Sequence, residues 1–158
     1  MENTILMKDE NWKMFLERNK QQMSRILNAP VLKAAVGYRA KNLSVIATTI
    51  EKKPIGPWKE EQSVIPSDQK LIDTFTKHTT SAIGLVCGRV SGNLEVIDLD
   101  LKYDISGSLL TRFKNAIDEA LPGLFERLYS TSTQTRGYHF YYPVGGAEEP
   151  KISNAIYN

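Results

Sequence analysis

Apolar residues fall into short, regularly spaced runs along most of the chain, and the spacing predicts the elements. Over residues 11–28, Trp12, Phe15, Leu16, Met23, Ile26 and Leu27 give one partly apolar helical face, and Gln21, Gln22 and several charges solvate the rest. A second helix is predicted over residues 30–40, with Pro30 suited to a first helical position. Residues 43–50 (LSVIATTI) are rich in β-branched side chains and predict a buried strand. The next stretch, residues 51–62, carries two prolines and a glycine within four positions and predicts a loop. Ser67-Asp68 then caps a helix through Leu71, Ile72 and Phe75 to about His78. Residues 82–87 and 94–101 predict two strands, joined by a turn at 88–93 with the spacing of a hairpin. Residues 106–121 are the clearest helix, with Leu109, Leu110, Phe113, Ile117 and Leu121 on one face and Pro122-Gly123 at the stop. Strands over 127–133 and 138–142 flank a turn at 134–137. This order predicts an α+β fold in which antiparallel pairs predominate.

Composition narrows the class. The chain has 158 residues, 41% of them hydrophobic, enough for one domain with a real core. Twenty Lys+Arg against eighteen Asp+Glu leave a net charge of only +2, so any phosphate binding must come from a local site, not from bulk charge. One cysteine excludes an internal disulfide, and with two histidines it excludes an ordinary structural zinc finger. No apolar run approaches the roughly 20 residues of a membrane helix, and charges occupy the place of a signal-peptide core. The expectation is a cytoplasmic domain with no membrane partner.

The first candidate chemistry lies in Glu95-Val-Ile-Asp98-Leu-Asp100-Leu101. In a strand, Ile97, Leu99 and Leu101 point to one face and Asp98 and Asp100 to the other, roughly 6–7 Å apart at Cα. Two such carboxylates repel each other unless a metal or a basic partner neutralises them. Mg²⁺ or Mn²⁺ suits the site, because water and substrate phosphates can complete the oxygen shell. A solvated sheet face would also account for the pair. The same D-x-D pattern occurs in sugar-nucleotide glycosyltransferases and Toprim-type nucleases, so the strand alone does not choose.

The second stretch is Tyr129-Ser-Thr-Ser-Thr-Gln-Thr-Arg136-Gly137-Tyr138-His139-Phe140-Tyr141-Tyr142. His139 and Tyr141 share a strand face, opposite Tyr138, Phe140 and Tyr142. Gly137 permits close backbone approach or a positive φ. Arg136 offers a planar fork of donors for phosphate, and His139 can hydrogen-bond a phosphate oxygen. Taken singly, His139 reads more readily as a core-edge histidine and Arg136 as a solvated turn residue.

Together the stretches resemble the archaeo-eukaryotic primase superfamily, specifically the bifunctional DNA primase/polymerase (prim-pol) N-terminal domain, over about Leu32 to Pro143. Lys33-Ala-Ala-Val-Gly-Tyr-Arg-Ala is similar to the family's opening helix, and Lys52-Lys53-Pro54-Ile-Gly-Pro-Trp58-Lys59 to its K-K-P…W-K loop. Ile83 to Asp100 is similar to the strand pair that leads into its acidic motif, and Arg136-Gly-Tyr-His139 to its second motif. The resemblance implies a primase-like mixed sheet with flanking helices. It also implies Mg²⁺ or Mn²⁺ on Asp98 and Asp100, and nucleotide phosphates on His139, with Arg136 and Gly137 beside it. The implied activity is template-dependent nucleotidyl transfer from (d)NTP to a 3′-hydroxyl on single-stranded DNA, in DNA replication. A helicase domain or protein would be a companion. Lys52, Lys53, Trp58 and Lys59 can meet a template strand through phosphates and stacking, or form a solvated loop anchored by Trp58. The family's third motif, a later carboxylate, has no counterpart; Glu148 and Glu149 sit in a loop-like Gly-Gly-Ala-Glu-Glu-Pro context and are not assigned to it. The expected organisation is an N-terminal helical extension over 1–30 and an incomplete catalytic domain over 31–158, cut before its last catalytic element and inactive alone. The alternatives are a non-catalytic nucleotide- or DNA-binding module, or a D-x-D glycosyltransferase fragment that leaves the Arg136–His139 motif unexplained.

Overall fold

A computed structural model describes residues 9–27 and 29–145. Glu148 and Glu149 therefore lie outside the described residues. The elements run α1 (Asp9–Arg18), α2 (Met23–Ile26), α3 (Pro30–Arg39), β1 (Ser44–Thr48), α4 (Asp68–Phe75), β2 (Ala82–Val86), β3 (Leu94–Asp100), α5 (Leu109–Ala120), β4 (Tyr129–Thr133) and β5 (Gly137–Pro143). The fold is α+β, as predicted, and its strands form two antiparallel sheets: β1-β2, and β3-β5-β4.

The helix predicted over 11–28 is broken near Asn19. The Asn19 side chain donates to the Phe15 carbonyl (2.9 Å) and to Asp68 Oδ2 (3.1 Å), and the chain tightens into a 3₁₀ turn at Lys20–Gln22. An asparagine competing for a backbone carbonyl is a known way to end a helix. Even so, the segment is packed into the molecule. Phe15 and Ile26 are fully buried in one cluster with Leu32, Ala35, Val36, Val45, Ala47, Leu71, Ile72 and Phe75. Ser67 caps α4 as expected, accepting from the Lys70 N–H at 3.2 Å.

A polar clamp holds α1 to α4. Asp68 takes hydrogen bonds from Arg18 (2.9 Å) and Asn19 and an ion pair from Arg39. Burial alone would raise its pKa, but these donors and the Arg39 charge outweigh burial and hold it at about 2. Because the folded value lies below the usual 3.8, the clamp stabilises the fold above about pH 4, and that stability is lost as pH falls through about 2. With Arg18 half exposed, screening limits the effect to about 1 kcal/mol. In urea titrations, Asp68→Asn is expected to be about 1 kcal/mol less stable than wild type at pH 7 and to converge with it near pH 2. A constant difference across that range would rule out the clamp as its source.

The hairpin predicted between 82–87 and 94–101 is not formed. β2 pairs with β1 and β3 with β5, and only a Gly88–Leu94 bridge links the two predicted partners. The cause is Ser91. It is buried in the connecting 3₁₀ turn, where its Oγ accepts from the Ser44 N–H (2.9 Å) and donates to the Val86 carbonyl. The connection is pinned to the first sheet and delivers β3 to the second. That sheet has a thinner interior: Leu94, Leu99 and Phe140 are its buried apolar side chains among the described residues. Phe140 packs against Phe113 of α5 and against Phe125, with ring centroids 5.0 and 5.5 Å away. No helix among the described residues is long and apolar enough to cross a membrane.

Candidate active site

Strand alternation builds the site on the face of the second sheet opposite the Phe113–Phe125–Phe140 cluster. In the β3-β5 register Asp98 stands opposite His139 and Asp100 opposite Gly137. In the β5-β4 register Thr131 stands opposite His139 and Thr133 opposite Gly137. Directly paired residues share a face, so Asp98, Asp100, His139, Gly137, Thr131 and Thr133 form one polar surface, bordered by Tyr141 and Tyr129. Asp98 is 68% exposed and His139 31%, which leaves both open to a ligand.

His139 is placed from two sides. Its Nε2 lies 3.6 Å from Asp98 Oδ1, longer than a hydrogen bond. Its Nδ1 lies 3.2 Å from the Tyr141 hydroxyl, two residues along the same face. Burial pushes the Tyr141 hydroxyl pKa up, with Cys87 and Asp98 adding to it and a Thr131 hydrogen bond opposing, so this hydroxyl stays protonated as a neutral partner for the imidazole.

Asp100 has a basic partner of its own. The Lys102 ammonium lies 2.9 Å from its Oδ2, and the Lys102 backbone N–H donates to its Oδ1 at 3.1 Å. These two bonds, and then the Lys102 and Lys52 charges, lower the Asp100 pKa. The repulsion expected between the paired carboxylates is thus answered within the chain.

The K-K-P loop splits in two. Lys52 and Lys53 lie exposed on a tight turn after β1, and the Lys52 charge reaches Asp100. Trp58 instead lines a small cavity with Val45, Ile55, Leu71 and Phe75, so it is packed between β1 and α4, and Lys59 opens the 3₁₀ turn that follows. Arg136 is exposed, and its carbonyl accepts from the Leu101 N–H at 3.0 Å. The positive φ allowed for Gly137 belongs to Arg136 (φ 62), and Lys52 shares this conformation (φ 63). Side chains other than glycine adopt it at a cost of about 1–2 kcal/mol. Gly137 meets the other requirement, close approach: a Cβ there would lie 2.6 Å from the Leu99 carbonyl oxygen.

Three contributors were not named as site residues from the sequence, although Tyr141 was read as sharing the His139 face. Tyr141 and Thr131 are placed beside His139 by the register, and Lys102 lies two residues past Asp100, beyond the strand. The i+2 spacing of Tyr141 was the available signal. For a metal, the donors are two exposed carboxylates on one face, an oxygen set that suits Mg²⁺ or Mn²⁺ with water and phosphate oxygens completing the shell. The described residues hold no group of three or more His, Cys, Asp or Glu side chains placed to bind a metal.

No curated protein and no solved structure matches the chain at a significant level. The sequence pattern of one family, described as bifunctional DNA primase/polymerase, N-terminal, matches residues 35–156 and so runs from the middle of α3 through β5 with both halves of the site. Its members act on DNA and nucleotides by nucleotidyl transfer and generally use divalent metals. On a match over most of its length, the chain belongs to the bifunctional DNA primase/polymerase N-terminal family.

Proposed function

We propose that the polar face of β3-β5-β4 is a template-directed nucleotidyltransferase site, with Asp98 and Asp100 as metal ligands and His139 and Arg136 as triphosphate contacts. The observation that carries this reading is the register, which sets Asp98 opposite His139 on one open face. When bound, Mg²⁺ or Mn²⁺ supplies Lewis-acid activation of a 3′-hydroxyl and neutralises charge at the α-phosphate. The chain's own residues anchor and orient. Asp98 and Asp100 give oxygen donors from a rigid strand. Tyr141 takes Nδ1 of His139 and leaves Nε2 on the Asp98 side, toward a phosphate oxygen. Arg136 holds positive charge at the rim, where the departing pyrophosphate needs it. Lys52 and Lys53 are the template-phosphate contacts of this reading, with Lys59 further along the loop, while Trp58 serves as the loop's packed anchor. The setting is cytoplasmic DNA replication beside a helicase.

The test is synthesis on single-stranded DNA, primed and unprimed, by the full chain with dNTPs and NTPs in Mn²⁺ or Mg²⁺. With no third carboxylate assigned, metal-dependent dNTP binding is the expected minimum, and products that require the metal and the template would establish transfer. Binding without product would reduce the site in this chain to a nucleotide-binding module. Neither binding nor product would overturn the reading.

A further inference from the structure

Lys102 satisfies both oxygens of Asp100, one through its ammonium at 2.9 Å and the other through its backbone N–H at 3.1 Å. The ammonium also lies over the Tyr103 ring, 4.7 Å from its centroid. A cation therefore already stands at the carboxylate that the proposed function assigns to a metal. Its attachment is of two kinds. The backbone bond fixes Asp100 in orientation. The ammonium sits on a flexible stem, with the side chain 43% exposed, and can leave by rotamer change alone. The Tyr103 ring offers it a resting place at the loop surface.

The geometry points to Lys102 as an intrachain counter-ion that keeps Asp100 neutralised and oriented until a divalent cation displaces its ammonium. This inference rests on the proposed metal site and adds a competitor to it. The chain avoids the cost of two unpaired carboxylates on one face, and metal affinity is lowered by the ion pair that must be broken. The backbone N–H is untouched by the exchange and holds Oδ1 in both states.

The test is titration of the full chain with Mn²⁺ alone, following free Mn²⁺ by electron paramagnetic resonance. Lys102→Met is expected to tighten Mn²⁺ binding about two- to fivefold, within the range an exposed ion pair sets. Lys13→Met removes an equal charge from the exposed surface of α1, outside the second sheet, and is expected to change the affinity by less than about 1.5-fold. Circular dichroism melts in EDTA establish that both variants are folded. Unchanged or weaker binding in Lys102→Met, or equal effects in the two variants, would overturn the inference and leave the metal site standing. Wild type and Asp98→Asn/Asp100→Asn binding Mn²⁺ alike would overturn the site and the inference together.

Discussion

Asp98→Asn combined with Asp100→Asn is expected to weaken Mn²⁺-dependent dNTP binding at least about 100-fold. Loss of a mere outer-shell partner of a metal already costs up to that factor. The same double variant is expected to keep close to wild-type stability in metal-free buffer. The reasoning is structural. Both side chains lie at the surface and asparagine is nearly the same size, so the exchange leaves no cavity and no orphaned group in the interior. Stability loses the exposed Lys102 ion pair and gains relief from like-charge repulsion. Binding loses both anionic donors. Fluorescence titration of a labelled dNTP with and without EDTA, beside thermal melts, separates the two. Retained metal-dependent binding in the double variant would move the metal away from β3.

Gly137→Ala is expected to destabilise the chain by about 2–3 kcal/mol, the upper part of the overpacking range. The added carbon would lie 2.6 Å from the Leu99 carbonyl oxygen, 3.1 Å from Thr133 Oγ1 and 3.4 Å from Asp100 Cα. Thr133 can rotate away; the Leu99 carbonyl and Asp100 Cα are backbone and cannot. Relief requires β3 to part from β5 next to the pairing that sets Asp98 opposite His139. Metal-dependent dNTP binding should therefore fall with stability, whereas removing the Thr133 hydroxyl as well should rescue neither. Denaturant titration decides it: a variant as stable as wild type would mean that β5 shifts at no cost.

The polar face was legible where strand periodicity is enough. Asp98 and Asp100 alternate with Ile97 and Leu99, and His139 alternates with Phe140, so each strand's polar face could be read before the strands were paired. Which strands pair could not. The hairpin expected at 88–93 fails because the Ser91 hydroxyl is engaged by Ser44, 47 residues earlier, and no local pattern encodes that contact. The break at Asn19 has the same character, since its side chain is held by Asp68 of α4. That the paired aspartates need a metal or a basic partner followed from charge alone, and the structure supplies a basic one. Its identity did not, because Lys102 lies past the strand, where alternation no longer says which way a side chain points. The K-K-P…W-K loop left two readings open, and Trp58 takes the packed position of the anchored-loop reading while Lys52 and Lys53 stay exposed.

The uneven distribution of buried apolar side chains has a consequence for the order in which the molecule opens. The cluster from Phe15 to Phe75 belongs to the helices and the β1-β2 sheet, and the sheet that bears Asp98 and His139 relies on Leu94, Leu99 and Phe140. Amides of β3, β4 and β5 should then exchange with solvent through a sub-global fluctuation that leaves the first half closed. A metal-bound nucleotide, bridging β3 to β5, would draw that sheet into the cooperative unit. Occupancy of the site would be visible as slowed exchange across the whole sheet, well beyond the residues that touch the ligand.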